Sequence, residues 1–406
     1  MRITAIALAA GTLFCAVVQA DLAMFGYMPT WNRAGAANVD FSKYTHVALA
    51  FGVPGADGSL SFDGTSYLSD VVSQLHTTKT KALVSVGGWT ASNHFSNILK
   101  KNPTRVAFLN SLVKLVADYG LDGIDIDWEY PGHEGNPGNA IDPQNDTKNL
   151  LSFVKDLRSR FDSRFGKGKL ITLAGSTAPF WGPNGPLTNI SEFAGPVDFF
   201  NLMNYEINGS WQPTTGPNAP LYYQASKGSQ VSYDSSIRAW VNAGIPSKKL
   251  LGGLAFYGHG YKASVDMTAN PSNQYVAHTG GADGDWTYVS LRKSGILSSP
   301  TTAGGDWVRY YDSTTRTPWL FNKKTRVYVT YDDGQSLKEK RDYSQGKNLG
   351  GLMVWSIDQD YNNELLYAAA GAPAKPSTTS TTPTSTAAPS TTAAPTTAHP
   401  STTAVP

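Results

Sequence analysis

Between Asp21 and Gly371 short apolar runs alternate with stretches whose apolar residues recur every three or four positions. The runs LAMFGYM (22–28), THVALAFGV (45–53), ALVSVGG (82–88), LDGIDIDWE (121–129), KLITLAGS (169–176), VDFFNLMNY (197–205), LLGGLAFYG (250–258) and LGGLMVWS (349–356) read as strands. Helical periodicity separates most of them, clearest in RVAFLNSLVKLVADYG (105–120) and NLLSFVKDLRSRF (149–161). Eight parallel-type strands with crossover helices predict an α/β fold, a (β/α)8 TIM barrel over residues 21–371. A doubly wound open sheet is the alternative, but no Gly-rich dinucleotide fingerprint follows the first strand. One interval breaks the rhythm. After the seventh run, about 70 residues (261–332) precede the helical pattern at 334–345. The interval holds Trp286, Trp307, Trp319, Tyr310, Tyr311 and the β-rich TRVYVTYDD (325–333). It reads as a small α+β insertion subdomain at the C-terminal mouth of the barrel, where loops build active sites.

The two ends depart from this pattern. Residues 1–20, MRITAIALAAGTLFCAVVQA, carry one Arg, an apolar stretch and small residues at Val18 and Ala20. That is the pattern of a secretory signal cut after Ala20. The run is short for a transmembrane anchor, and no basic flank follows it. Cys15 is the only cysteine, so the mature protein is expected to lack disulfides and thiol chemistry and to depend on a large core. From Ala372 the last 35 residues hold 12 Thr, 5 Ser, 7 Pro and 8 Ala. This composition reads as an extended, O-glycosylated, disordered tail. With no closing apolar segment a C-terminal lipid anchor is not expected, and an extracellular or wall-associated location is. Asn145-Asp-Thr147, Asn189-Ile-Ser191 and Asn208-Gly-Ser210 are N-glycan acceptor sequons.

Composition excludes several classes. At 40% hydrophobic and 11% aromatic, with 39 Gly and 24 Pro, the chain is neither disordered as a whole nor a coiled coil. Setting aside Arg2 and Lys375 leaves 31 basic and 31 acidic residues in the globular part. Without net positive charge or a basic run, it lacks the footprint of a nucleic-acid binder. No membrane partner is expected, and a monomer is.

LDGIDIDWEYPG (121–132) is the most informative stretch. Strand side chains alternate, so Asp125, Asp127 and Glu129 share one face while Ile124, Ile126 and Trp128 share the other. Same-face neighbours lie about 7 Å apart. In a barrel the apolar set meets the helices and the carboxylates face inward. Burying them without purpose costs several kcal/mol each, which argues for a catalytic array. Such an array could hold a divalent metal, but those sites usually draw ligands from several elements or a Gly-kinked loop. Alternatively the acids tune one another: like charges this close cannot all ionise, so at least one stays protonated near neutral pH. Glu129, nearest the mouth, is the natural general acid, and a protonated Glu beside ionised neighbours is what cleavage of a glycosidic bond requires. No metal and no cofactor is expected.

The spacing Asp122-x-x-Asp125-x-Asp127-x-Glu129 resembles the signature of glycoside hydrolase family 18, the chitinases and their relatives. SVGG (85–88) resembles the family's Ser-x-Gly-Gly element, NLMNYE (201–206) its Met-x-Tyr-Asp element, and GGLMVWS (350–356) carries the Trp expected on the eighth strand. LAFYGHGY (254–261), followed by the long interval, resembles the branch with an α+β insertion. The resemblance spans roughly residues 22–370 and implies a retaining, substrate-assisted hydrolase of β-1,4-linked N-acetylglucosamine, with chitin and chitooligosaccharides as partners. Glu129 would protonate the leaving oxygen. Asp127 would swing between Asp125 and the acetamido N–H, and Tyr205 would donate to the acetamido oxygen. Trp355 would floor the −1 sugar. Tyr27, Phe51, Gly87, Gly88, Trp89, Tyr130, Met203, Asn204 and Glu206 would serve as cleft residues. Trp211, Trp286 and Trp319 are further aromatic candidates, with core packing as the plain alternative.

Two residues depart from the family pattern: Glu206 stands where Asp is usual, and His259 where Arg is common. Alternatives to a chitinase are an endo-β-N-acetylglucosaminidase acting on N-glycan cores and a chitin-binding lectin on the same scaffold. The presence of Glu129 is against the lectin. Glu206→Asp is expected to alter affinity or pH optimum more than turnover, measured on chitooligosaccharides. Abolished turnover would show that Glu206 is no secondary contact.

Overall fold

The structure, a computed structural model, describes residues 22–373. The expected signal peptide and almost all of the Thr/Ser/Pro tract lie outside the described residues. Eight strands, Ala23–Pro29, His46–Pro54, Lys81–Gly87, Gly123–Asp127, Leu170–Gly175, Phe199–Leu202, Leu250–Ala255 and Gly351–Trp355, pair in parallel in chain order. The first pairs with both the second and the eighth, so the sheet closes and has no free edge within the barrel. A short strand, Leu60–Phe62, adds antiparallel to His46–Pro54.

Helices cover the barrel where the 3.6-residue period predicts them. Leu68–Thr77, Asn102–Tyr119, Asp146–Phe165, Tyr233–Asn242 and Gly334–Gly346 lie between strands, and Glu364–Ala370 follows the last. Asn102–Tyr119 carries Pro103 in its first turn and stops at Gly120 in the left-handed conformation. The first crossover contains only 3-10 turns, among them Phe41–Lys43, and the fifth contains a short hairpin, Trp181–Gly182 with Gly185–Pro186, and the 3-10 turn Ser191–Ala194. On the acidic strand the alternation holds. Ile124, Ile126 and Trp128 join the core beneath the helices, Trp128 stacking on Phe95 at 5.3 Å. Asp125 and Asp127 point to the axis, where Phe25, Tyr27, Leu83, Leu251 and Met353 fill the interior. The ladder ends at Asp127, so Glu129 stands two residues beyond it.

The interval after the seventh strand forms a five-stranded antiparallel sheet, in the order His278–Gly281, His259–Ala263, Val327–Thr330, Thr317–Asn322, Trp307–Asp312. It starts two residues earlier than the pattern predicts, because His259 already pairs with Thr330. A helix, Tyr288–Lys293, accompanies it. The sheet has its own core of Tyr261, Ala263, Met267, Trp319, Phe321 and Tyr328. Two ion pairs join its end to the barrel. Arg309 donates from Nε (2.9 Å) and Nη2 (2.6 Å) to Asp333, which caps the helix Gly334–Gly346. Lys340 on that helix reaches both oxygens of Asp332 at 2.8 and 2.6 Å, and both residues are buried. Replacing one partner of such a pair strands the other charge. Lys340→Ala is therefore expected to cost about 3–5 kcal/mol, read as a lower denaturation midpoint at unchanged m-value. A loss below about 1 kcal/mol would mean that Asp332 is solvated by something other than Lys340.

Candidate active site

The three inward acids meet three different environments. Asp125, fully buried, accepts from Tyr27 Oη (2.9 Å) and Ser85 Oγ (2.7 Å) at one oxygen, and from Thr172 Oγ1 (2.5 Å) and Asn201 Nδ2 (3.2 Å) at the other. Burial pushes its carboxyl up and these four donors pull it back, leaving it above the ordinary range. Asp127 has no such support: its Oδ1 is buried without a hydrogen-bond partner. Burial, then the charges of Glu129 and Asp125, push it well up. Glu129 keeps 9% of its surface open at the mouth. Burial, aided by the charge of Glu206, raises its carboxyl to about 7, against the lowering contact with Tyr130. The charge of Glu129 raises the proton affinity of Asp127, so the protons of the two leave in steps that belong to the pair.

Glycine is required where the third strand meets the end of the acidic one. Gly87 (φ +114) and Gly88 (φ +82) have left-handed backbones; a Cβ on Gly87 would lie 2.1 Å from the Asp127 carbonyl oxygen, and one on Gly88 2.7 Å from the Phe51 ring. Gly88 N–H donates to the Asp127 carbonyl at 2.7 Å. These two residues shape the cleft through the backbone. Trp89, directly after them, is half-buried.

Aromatic side chains gather over the eighth, first and second strands. Phe51 and Trp355 stack at 5.6 Å and 19°, and Tyr27 lies 5.6 Å from Trp355. Trp31 extends the patch, 6.1 Å from Phe51 and 64% exposed. It was not among the residues expected from sequence, since it sits in a turn without periodic pattern. Another wall forms after the sixth and seventh strands. Tyr257 packs edge-on against Tyr205 and donates to Glu206 at 2.8 Å. His259 Nε2 stands 3.8 Å from the same carboxylate, buried and unpartnered, and Trp211 abuts the imidazole. Burial keeps that imidazole below its usual basicity. Tyr205 lies among the carboxylates, which with burial raise its hydroxyl well up. Its nearest hydrogen-bond partner is Met353 Sδ at 3.8 Å. Met203 packs beside it, and Tyr130 is half-buried next to Glu129.

Several expected cleft residues serve the fold instead. Tyr27 is 2% exposed with its hydroxyl on Asp125, so it supports the acid rather than lining the cleft. Asn204 donates to Ser236 and accepts from Gly253 N–H, which points its amide to the outside of the barrel, the parity opposite to Met203 and Tyr205. Trp319 is fully buried in the core of the inserted sheet, and Trp286 packs against Trp307 with its Nε1 on the Ala282 carbonyl. Ser85, Thr172 and Asn201, the donors to Asp125, were not singled out from sequence as site residues. Their signal was present: each is a polar residue at an inward position of an apolar run.

Together these groups offer a carboxyl raised to about 7, a second carboxyl with a buried, unpartnered oxygen, a hydroxyl and apolar ring faces. That set suits acid catalysis on a ligand with stackable faces. The sequence matches the family model for glycosyl hydrolases family 18 over residues 23–360. A chitinase-like effector of Moniliophthora perniciosa is 32% identical over an alignment covering 84% of this chain and 85% of that protein. Chitinase A1 of Niallia circulans is 30% identical; the match covers 84% of this chain but only 57% of that longer protein. The crystal structure of a chitinase from Rhizomucor miehei superposes with a TM-score of 0.81 at 32% identity, over 86% of this chain and 99% of that one. The chain belongs to glycosyl hydrolase family 18.

Glu129 is expected to be protonated below about pH 7 and to lose its proton above it. Glu206→Gln removes a charge that favours the protonated form, so the midpoint should move down, as followed by 13C NMR of labelled glutamate carboxyls. An unmoved midpoint would show that the Glu206 charge does not reach the acid.

Proposed function

We propose that this chain hydrolyses β-1,4-linked N-acetylglucosamine polymers with retention of configuration, through attack by the substrate's own acetamido oxygen. The observation that carries the reading is the pairing of Glu129, at the mouth with its carboxyl raised to about 7, with Asp127, whose buried Oδ1 lacks a protein partner. Glu129 gives its proton to the leaving oxygen. Asp127 takes the acetamido N–H as its missing partner and stabilises the oxazolinium cation, while the Tyr205 hydroxyl holds the acetamido oxygen. Water then opens the intermediate with Glu129 as base. The aromatic patch of Trp31, Phe51 and Trp355 stacks on sugar faces, and Glu206 accepts from a hydroxyl. The sequence pattern of residues 1–20 supports secretion, and chitin or its oligosaccharides are the proposed partners.

A second reading is a chitin-binding lectin on the same scaffold, which binds and does not cleave; one relative carries the name chitinase-like effector rather than chitinase. Chitopentaose separates the two. Early β-anomer in fresh products, followed by NMR, supports the retaining hydrolase, and early α-anomer counts against the acetamido route. Binding by the wild type without cleavage moves the chain to the second reading. Glu129→Gln is expected to lower kcat by about 10² to 10⁴ while keeping oligosaccharide binding. Wild-type turnover in that variant would remove Glu129 from the chemistry.

A further inference from the structure

Because the ladder stops at Asp127, the peptide groups of the residues after it have no neighbouring strand to bond. At Glu129 two side chains from separate loops take that place. The Glu129 N–H donates to Ser92 Oγ at 2.9 Å, and the Glu129 carbonyl accepts from Asn139 Nδ2 at 3.0 Å. Ser92 is itself anchored, its hydroxyl 2.8 Å from the Gly88 carbonyl and 3.2 Å from that of Asp127. The loop that carries Asn139 packs its backbone against the same peptide: a Cβ on Gly135 would lie 2.0 Å from the Glu129 oxygen.

That loop is held shut at its end by Asp146, a buried carboxylate that accepts from Asp142 N–H (2.7 Å), Gly132 N–H (3.3 Å) and Ser96 Oγ (2.6 Å). Asn93 adds its carbonyl to Ala140 N–H at 3.3 Å. Ser92, Asn93 and Ser96 follow the third strand, and Asn139 to Asp146 follow the fourth. The two loops are thereby joined around one residue, Glu129. We propose that Ser92 and Asn139 form a clamp on the backbone of Glu129 that fixes the direction of its side chain, making both positioning residues for acid transfer. The inference rests on the glycosidase reading above.

Holding the two peptide groups that flank the Glu129 Cα fixes the Cα–Cβ vector, and a misplacement of about 1 Å at a reacting group costs on the order of a hundredfold in rate. Asn139 is half-exposed, so its replacement leaves the core intact. Asn139→Ala and Asn139→Asp are expected to lower kcat on chitotetraose by about tenfold or more with KM within about twofold, and to displace the midpoint of the Glu129 carboxyl titration seen by 13C NMR. Ser92→Ala should do the same, and Ser92→Thr, which keeps the hydroxyl, should restore kcat. Unchanged kcat and unchanged titration in the Asn139 variants overturn the clamp. So does a fall in kcat matched by an equal loss of folded protein. A wild type that does not cleave chitotetraose removes the glycosidase reading instead, and the clamp is then judged on the titration, which needs no turnover.

Discussion

A carboxylate at the axis of a barrel has lost its water and must be solvated by protein. Asp125 achieves this with four donors from the first, third, fifth and sixth strands. Each charge-assisted bond contributes roughly 1.5–3 kcal/mol against a desolvation cost of several kcal/mol, and burial still leaves the carboxyl above its ordinary range. The same bonds cross-link the interior, since no two of the four donors share a strand. Two positions further along, Asp127 receives no donor on its inner oxygen. Its proton affinity is therefore set by burial and by its neighbours. One more step brings Glu129 to the mouth, past the end of the ladder. Three carboxyls of nearly the same chemistry thus acquire different environments from their depth, their donors and their neighbours.

The other wall of the cleft depends on a single asparagine. Asn218 accepts from Glu206 N–H at 2.8 Å, gives its own N–H to Thr330 Oγ1 at 2.8 Å and donates from Nδ2 to the Tyr257 carbonyl at 3.3 Å. It ties the loop after the sixth strand to the turn after the seventh and to the inserted sheet. Glu206 needs such support because its backbone is left-handed (φ +57), a conformation that a side-chain residue rarely adopts unaided. The inserted sheet is consequently part of the site without supplying an acid: it holds His259 and, through Thr330, the frame of Glu206.

The clamp on Glu129 follows the same logic on the acidic side. Strand ladders position residues well, but Glu129 lies beyond its ladder, where backbone groups have no neighbouring strand. Side chains of Ser92, Asn139 and Asp146 take over the task of the ladder there.

What was legible in the sequence is what local periodicity encodes. The alternation of LDGIDIDWE determines that Asp125, Asp127 and Glu129 face in and that Ile124, Ile126 and Trp128 pack outward. The eight apolar runs anticipate the barrel strands to within a few residues. The outward parity of Asn204 was also present in NLMNYE, although the residue was expected in the cleft. Partner identity is another matter, because it depends on register between strands far apart in the chain. Asn201 bonds Tyr27 across 174 residues, and nothing local to either predicts it. Nor does sequence separate an aromatic buried in a small sheet, as Trp319 is, from one exposed at the mouth, as Trp31 is; both are apolar rings in turn-rich segments. Sequence alone decided which groups could do the chemistry. Only the closed sheet decided which carboxyl is solvated by protein and which keeps an unpartnered oxygen, because hydrogen-bond donors reach the axis from four separate strands at once.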